Sequence, residues 1–331
     1  MRILRLSRYA IGLCAAASMF SACGGNGVAL RNSQPMMPQV LPAPQAATSG
    51  LYVGDFDATT IYGYRARNPR NKPPVCTVPG VSYVNGLAVD GKGDLIDPDG
   101  GTRKVIVFKG PEMCGATLAS LSDPYGMPSD AASADAASGA IVVGNIFDGP
   151  TSHPTAGSIS ICTVAVGCVQ NLTNPHMYEV VGVALARNGD CWADASATSS
   201  GANAHLIYFK SCSGSGQVAK HFLNKDYGGL DIDGNGNLLS IDYSQRSKLY
   251  VYHGCNPRCS LVAGPFRLHG PSVYGKVDQD STHFAAADVT HEQVDVYSYS
   301  RTSVRYQYSF WNGLNRSGAI EGIAYNPRSK E

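Results

Sequence analysis

The chain has 331 residues, of which 44% are hydrophobic and only 15% are charged, and its formal net charge at pH 7 is +1. The hydrophobic fraction excludes a charge-solvated disordered chain, and the scarcity of charged side chains argues against a helical bundle. A nearly neutral chain offers no basic surface for nucleic acid, so we expect no nucleic-acid partner. Ten cysteines are many for a cytosolic protein and favour an oxidising compartment.

Residues 1–22 are typical of an export signal. Arg2, Arg5 and Arg8 precede an apolar run, Tyr9–Phe20, that is too short to span a bilayer as a helix. Removal of residues 1–22 would take away these three arginines. It would leave 23 basic against 25 acidic residues, a net charge of −2.

The signal ends in Phe20-Ser21-Ala22-Cys23, which resembles the lipobox of bacterial lipoproteins, with Phe20 where that motif usually has Leu. The resemblance implies lipidation of Cys23 and a lipid anchor in the cell envelope. It implies the outer membrane in a Gram-negative cell, because Gly24 rather than Asp follows the cysteine. The alternatives are a freely secreted protein cut near Ala22, or a buried N-terminal helix.

Residues 23–49 are rich in proline, as in Gln34-Pro35, Met37-Pro38 and Leu41-Pro42, and they show no apolar period. This composition predicts an extended tether between the anchor and a folded body.

Residues 50–331 contain an internal repeat. Its three best copies begin Gly86-Leu-Ala-Val-Asp90, Gly182-Val-Ala-Leu-Ala186 and Gly229-Leu-Asp-Ile-Asp233, and weaker copies begin at Gly126, Gly275 and Gly322. Each good copy continues with a glycine turn, a second apolar run and a third run of alternating pattern. A period of about 47 residues with three or four short strands is the size of a β-propeller blade.

This pattern resembles the NHL-repeat propellers over residues 51–327. The count gives six four-stranded antiparallel blades. Glu321–Tyr325 is an innermost strand with nothing after it, whereas Leu51–Asp55 and Thr60–Tyr64 are second and third strands with no innermost strand before them. We therefore expect the N-terminal strands to pair with the C-terminal strand and close the ring. A seven-bladed ring and a two-domain β protein are the alternatives.

Eight cysteines remain after Cys14 and Cys23, an even number that suits disulfides. Cys162 with Cys168 and Cys255 with Cys259 flank turns, and Cys191 with Cys212 lie where the ends of a hairpin meet. Cys76 and Cys114 then pair by elimination. A zinc site is the rival interpretation, but the sequence has no Cys-x-x-Cys pair and no second pair of ligands at finger spacing.

The loops that lead into the innermost strands should line one mouth of the central channel. We predict that they form a ligand-binding face, because tyrosine combines an apolar ring with a hydroxyl that suits sugars, aromatic glycosides or peptide segments. The alternative is that these tyrosines only pack the junctions between loops and blades. The face comprises Tyr83, Asn85, Tyr125, Tyr178, Glu179, Asp226, Tyr227, Tyr274 and Glu321.

Four of these residues also suggest a cation site. Asn85, Glu179, Asp226 and Glu321 offer the oxygen ligands that calcium or another divalent cation prefers. A central metal held by Glu, Asn and Asp is what resemblance to gluconolactonase- and paraoxonase-type propellers would imply. The alternative is that these acids are solvated or cap turns, with no cofactor.

No catalytic motif accompanies the repeat: the sequence has no Gly-x-Ser-x-Gly elbow, no His-Glu-x-x-His and no phosphate loop. His176, His269, His283 and His291 are isolated in sequence, which favours incidental roles. We therefore expect a monomeric, non-enzymatic module that binds an envelope protein or a small polar ligand. A metal-dependent lactonase-type hydrolase and a purely structural envelope protein are the alternatives.

Overall fold

The computed structural model describes residues 50–64, 69–70, 72–110, 112–133, 139–148, 156–198, 203–222, 226–244, 246–315 and 319–326. The expectations for the signal (residues 1–22), the tether (residues 23–49) and Cys23 fall outside these ranges. Within them, no helix combines the length and the apolar character needed to cross a membrane.

The described chain forms six four-stranded antiparallel sheets, which are the six predicted blades of a β-propeller. Each blade runs outward from an innermost strand. Blade I contains β4 (Ala88–Val89), β5 (Leu95–Asp99), β6 (Lys104–Phe108) and β7 (Thr117–Ser122). Blade II contains β8 (Gly126–Ser133), β9 (Ala140–Asp148), β10 (Ser158–Thr163) and β11 (Gly167–Leu172). Blade III contains β12 (Glu179–Leu185), β13 (Cys191–Ser196), β14 (Ala204–Phe209) and β15 (Gln217–His221).

The second half of the ring repeats this arrangement. Blade IV contains β16 (Leu230–Ile232), β17 (Leu238–Asp242), β18 (Lys248–His253) and β19 (Ser260–Arg267). Blade V contains β20 (Ser272–Val277), β21 (His283–Asp288), β22 (Gln293–Ser300) and β23 (Ser303–Phe310). Blade VI contains β24 (Ile320–Asn326), β1 (Gly50–Asp55), β2 (Thr60–Tyr64) and β3 (Cys76–Pro79).

Blade VI closes the ring as predicted. The C-terminal strand β24 is its innermost strand and pairs with the N-terminal strand β1, with Tyr52 opposite Ala324. The Cys76–Cys114 disulfide then joins β3 of this blade to the connection between β6 and β7 of blade I. A hydrogen-bonded ladder therefore joins the two ends of the chain, and the disulfide fixes the outer part of the closing blade to its neighbour.

The hydrophobic core lies between the blades. The buried apolar residues form six clusters, and each cluster combines side chains of two neighbouring blades. One example is the packing of Tyr52 and Ile61 of blade VI against Leu87, Leu95 and Phe108 of blade I. Every blade thus buries both faces, as the alternation of its strands requires.

Glycines allow the repeat to fold this way at two kinds of position. A Cβ on Gly182 would overlap the carbonyl oxygen of Gly228, so this glycine lets the innermost strands of blades III and IV approach each other. In the turns after the innermost strands, Gly189 and Gly236 have φ of 88° and 76°, a region that glycine enters without strain.

The predicted disulfides are present. Cys162 lies opposite Cys168 in the β10–β11 ladder, and Cys191–Cys212 and Cys255–Cys259 close the connections that the sequence indicated. Four disulfides indicate an exported protein.

Candidate functional site

The channel has two ends, which differ in chemistry. We call the end at which the innermost strands begin the starting end, and the end at which they finish the finishing end. The starting end also carries the connections between second and third strands, because Glu179 at the start of β12 lies opposite Ser196 at the end of β13. The turns between first and second strands lie at the finishing end.

A cavity of about 670 Å³ opens at the finishing end, and all six blades contribute to it. Its inner wall consists of small side chains from the innermost strands, which leave the centre of the ring wide. These include Ala88, Ala131, Ala132, Ala184 and Ala324. The volume lies within the range of about 300–1,000 Å³ typical of small-molecule sites.

The floor of the cavity carries a cluster of buried charges. Lys276 on β20 is 7% exposed, and its Nζ lies 3.6 Å from Oδ1 of Asp130 on β8 and donates a hydrogen bond to the Leu230 carbonyl at 3.0 Å. Asp231, on β16, accepts a hydrogen bond from the backbone N–H of Val277 at 2.6 Å. Three innermost strands from three blades therefore meet at one ammonium group.

Burial has the largest effect on the pKa values of the two carboxyl groups in this cluster. It raises the pKa of Asp130 to about 6, although the Lys276 charge and backbone hydrogen bonds lower it. Burial also raises the pKa of Asp231, against the same lysine. The lysine thus compensates carboxylates that the low dielectric of the channel would otherwise protonate.

The rim of the cavity is polar and rich in amides. Asn188, Asn256 and Gln279 are exposed side chains from blades III, IV and V, and each carries both donors and an acceptor. Asn188 uses part of this capacity within its own turn, where Nδ2 donates to Oδ2 of Asp190 at 2.9 Å and Oδ1 accepts the Asp190 N–H at 3.1 Å. Arg187 and His253 complete this rim.

The aspartates in the turns at the finishing end accept hydrogen bonds from backbone N–H groups. Oδ1 of Asp90 accepts the N–H groups of Lys92 and Asp94 at 2.8 and 2.9 Å. Asp233 accepts those of Asn235 and Asn237 in the same way. These carboxylates cap the turns.

The nine residues of the predicted face lie at the starting end, and none of them lines the cavity. Tyr83 is 38% exposed and stacks on Phe56 with ring centroids 4.8 Å apart. Tyr125 and Tyr178 are half-buried, whereas Tyr274 is 2% exposed and lies close to Gly229. A ligand role for this face stays a prediction.

Two of the predicted face residues form a pair. The Tyr227 hydroxyl donates to Oε2 of Glu179 at 2.8 Å, which joins blades III and IV. Burial raises the pKa of Glu179, and the hydrogen bond from Tyr227 opposes that shift. Burial and the Glu179 charge raise the pKa of Tyr227. Asp226, next in the chain, donates its backbone N–H to Asp242 at 3.2 Å.

Glu321 is a strongly perturbed acid at the starting end. Burial, followed by the nearby charge of Asp57, raises its pKa to about 8. Its carboxyl group is therefore mostly protonated at neutral pH.

The structure does not gather the predicted cation ligands into one group. Among the described residues, two groups of three potential ligands have donor atoms within 4.8 Å of one another, and neither contains Glu179, Asp226 or Glu321. Asn85, the fourth candidate, is buried and donates from Nδ2 to the Tyr83 carbonyl at 3.1 Å. A calcium site on these four residues stays a prediction.

One of those two groups consists of His269, Asp288 and Asp295, and His291 also contacts Asp288; both histidines look isolated in sequence. Nδ1 of His269 lies 3.5 Å from Oδ2 of Asp295, and Nδ1 of His291 lies 2.7 Å from Oδ2 of Asp288. Ser309 and Gln293 donate to Asp295, and backbone N–H groups donate to Asp288. The other group, Asp123 with Cys162 and Cys168, has both sulfurs in a disulfide.

A second histidine cluster lies at the starting end of blade III. His205 and His221 are opposite each other in the β14–β15 ladder, with ring centroids 4.6 Å apart. His176, from the loop before β12, stacks on His205 at 4.9 Å and lies 5.8 Å from His221. Burial and the two neighbouring imidazoles lower the pKa of His205 to about 4, so its ring is neutral at pH 7.

Comparison with known proteins defines the fold and goes no further. No protein-family model matches the sequence, and no functionally curated protein is similar to it. A structure of a nidogen/laminin complex is similar at TM-score 0.61 and 12% identity, covering 85% of this chain and 100% of that one. A Bacteroides caccae protein of unknown function is similar at TM-score 0.57 and 12% identity, covering 84% and 99%.

A third similar structure is a Bacteroides fragilis protein whose assignment as a 6-phosphogluconolactonase is provisional. Its TM-score is 0.55 at 10% identity, covering 86% of this chain and 99% of that one. At such identities the likeness extends to the propeller architecture alone.

Proposed function

We propose that the protein is an exported binding module that holds a small, uncharged polar ligand of the carbohydrate class in the cavity at the finishing end. The observation that carries this proposal is the cavity itself, which has the size of a small-molecule site and an amide-rich rim. Sugar hydroxyls both donate and accept hydrogen bonds, and the side-chain amides of Asn188, Asn256 and Gln279 can do the same.

The charges of the cavity favour a neutral ligand over an ionic one. The Lys276 ammonium is engaged with Asp130 and the Leu230 carbonyl, and the turn acids Asp233 and Asp278 accept backbone N–H groups. An ionic ligand would have to displace these partners. A sugar can use the exposed rim without disturbing them.

The test is isothermal titration of the purified protein with glucose, galactose, N-acetylglucosamine, maltose and cellobiose, preceded by saturation-transfer NMR at millimolar concentration. We expect at least one sugar to bind saturably. The Asn188→Ala/Gln279→Ala double variant should bind it at least about tenfold more weakly, because each lost hydrogen bond contributes about 1 kcal/mol.

Two further variants localise the binding. Ala132→Trp places a large side chain in the cavity and should abolish binding, whereas Tyr125→Ala at the starting end should leave it unchanged. If no sugar of the panel binds, or if Ala132→Trp binds as wild type does, the proposal is wrong.

We also propose that Cys23 anchors the module to a cell-envelope membrane. The lipobox-like sequence and the four disulfides support this placement. Fractionation of cells that produce the Cys23→Ser variant tests it. The variant should leave the membrane fraction, and unchanged membrane retention would contradict lipidation.

A further inference from the structure

Comparison of the ladders of the blades shows what is unusual about His205. It pairs with Ala195 of the second strand, whose side chain packs in the cluster between blades II and III. At the same place in the ladder the other blades pair an acid with a polar side chain: Asp99 with Lys104, Asp242 with Lys248, Asp288 with Gln293 and Asp55 with Thr60. Blade III therefore has an imidazole here but no acidic partner for it on the neighbouring strand.

The buried ring of His205 is also incompletely satisfied. The residue is 8% exposed, and its Nδ1 has no hydrogen-bond partner in the structure. A buried polar atom without a partner costs about 1–3 kcal/mol, so such an atom calls for an explanation such as a ligand.

Two different parts of the structure hold the other two histidines next to this ring. The β14–β15 ladder holds His221 directly opposite His205. The His176 loop is fastened by Asn174, which accepts the His176 N–H at 3.0 Å and donates from Nδ2 to the Ser215 carbonyl at 2.8 Å. The next residue, Met177, is fully buried in the core between blades II and III.

The cluster has the chemistry of a metal-binding site. Within the described part of the chain, none of the three histidines forms an ion pair with a carboxylate, and protonation of all three would place like charges in contact. Neutral imidazoles have lone pairs, and imidazole is a preferred ligand of zinc, copper and nickel.

We propose that His176, His205 and His221 bind one divalent transition-metal ion of the zinc class at the starting end of blade III. Three protein ligands leave a fourth coordination position for water or another small ligand. The site is separate from the cavity at the finishing end, so the metal-binding proposal does not depend on the proposed carbohydrate binding.

Binding requires a modest movement of two exposed side chains. Zn–N bonds of 2.0–2.1 Å place the nitrogens of a tetrahedral site roughly 3.3 Å apart. The His176 and His221 rings, whose centroids are 5.8 Å apart, must therefore turn toward each other. Both side chains are exposed and free to change rotamer, while His205 stays in place.

The cluster of His269, Asp288 and Asp295 is the natural competitor, because its donor atoms already lie within 4.8 Å of one another. Its polar groups satisfy each other, however: both histidines face a carboxylate, and the carboxylates accept further N–H and O–H groups. Nothing in that cluster is left without a partner, in contrast to Nδ1 of His205. Its histidines supply the control variants.

The experiment measures metal binding to the purified protein after EDTA treatment and dialysis. Zn²⁺, Ni²⁺ and Cu²⁺ are titrated separately by calorimetry, and Tm is measured with and without each ion. We expect a saturable site with one of these ions per chain and a rise in Tm. His176→Ala and His221→Ala should each weaken binding by more than about 100-fold, the upper end of what loss of an outer-shell partner costs.

His205→Leu adds a test that does not depend on loss of folding. Leucine is apolar and removes the buried Nδ1 that has no hydrogen-bond partner, so the variant should fold and, without metal, have a Tm at or above that of wild type. It should no longer respond to the ion. His269→Ala and His291→Ala should bind as wild type does. Absence of saturable binding, or binding that survives His176→Ala and His221→Ala but is lost in His269→Ala, would overturn the proposal.

Discussion

The two ends of the channel are built from the same six blades, but two of their acidic residues, Asp278 and Glu321, have pKa values shifted in opposite directions. At the finishing end, burial alone would raise the pKa of Asp278, but hydrogen bonds from His283 and Thr282 bring it below its usual value. At the starting end, Glu321 has few such donors, and burial and Asp57 raise its pKa to about 8. One carboxylate is stabilised as the charged form and the other as the neutral form.

The difference follows from the repeat. The turns at the finishing end are nearly the same in several blades, with an acid that caps the turn and a left-handed residue such as Gly93, Gly236 or Ser281. The loops at the starting end differ in length and sequence, so their polar residues meet partners from other loops, as Tyr227 meets Glu179. The finishing end thus provides a regular cavity, and the starting end provides individual clusters.

Substitution of Lys276 should have the largest effect, because it removes the cation on which the finishing end depends. Lys276→Met leaves Asp130, which is fully buried, without its charged partner. We expect a loss of about 3 kcal/mol in the free energy of unfolding at pH 8, the size typical of a broken buried ion pair. Urea denaturation at pH 5 and pH 8 measures it.

The loss of stability in Lys276→Met should depend on pH, and the direction of that dependence follows from the pKa of Asp130. The folded pKa of Asp130, about 6, is above its unfolded value, so its ionisation destabilises the fold as pH rises from about 4 through 6. Without Lys276 that pKa rises further, so the variant should lose more at pH 8 than at pH 5. The Lys276→Met/Asp130→Asn double variant should recover most of the loss. An equal loss at both pH values would contradict the proposed pairing.

Substitution of Glu321 is the corresponding test of pH-dependent stability at the starting end. Because its folded pKa is raised, its contribution to stability is complete below about pH 4.5 and is lost as pH rises through about 8. Glu321→Gln should therefore be more stable than wild type at pH 9, on the order of 2 kcal/mol after discounting for partial exposure, and similar to it at pH 5. Thermal unfolding at the two pH values measures the difference.

Asp57→Asn provides the control for Glu321. It removes the neighbouring negative charge and so lowers the folded pKa of Glu321, which should make the loss of stability smaller and complete at lower pH without abolishing it. If Glu321→Gln and wild type show the same pH dependence, Glu321 is ionised in the folded protein, and the contrast between the two ends is wrong at this residue.

The architecture could be predicted from the sequence because the same turn and strand pattern recurs in the blades. Weak copies at Gly126, Gly275 and Gly322 became the innermost strands β8, β20 and β24, and the unpaired strands at the two ends of the chain predicted the closure of blade VI. These features are local, since each depends on a turn and a strand pattern within a few residues. Tertiary contacts did not override them.

The sites were less accessible, for physical reasons. The position of the cavity depends on how far alanines from several blades stand apart, and no local pattern encodes that distance. The histidine cluster depends on the β14–β15 register and on a loop almost thirty residues earlier. A signal did exist: aligned copies of the repeat place Ala195 and His205 where other blades pair an acid with a polar residue, as Asp99 with Lys104 and Asp242 with Lys248.

The smallest expected effect comes from Asp90. Its variants distinguish the contribution of its negative charge from that of the hydrogen bonds that it accepts in its turn. Asp90 holds its turn through Oδ1, which accepts two backbone N–H groups, and burial raises the pKa of this acid. The hydrogen bonds therefore matter more than the charge. Asp90→Ala should cost about 1 kcal/mol in the free energy of unfolding, whereas Asp90→Asn keeps an accepting oxygen and should cost no more than about 0.5 kcal/mol.

Urea denaturation of the two Asp90 variants at pH 7 distinguishes these roles. Because the Asp90 carboxylate faces its own turn, both variants should also bind the cavity ligand as wild type does. A large loss in Asp90→Asn would mean that the negative charge itself stabilises this end of the channel.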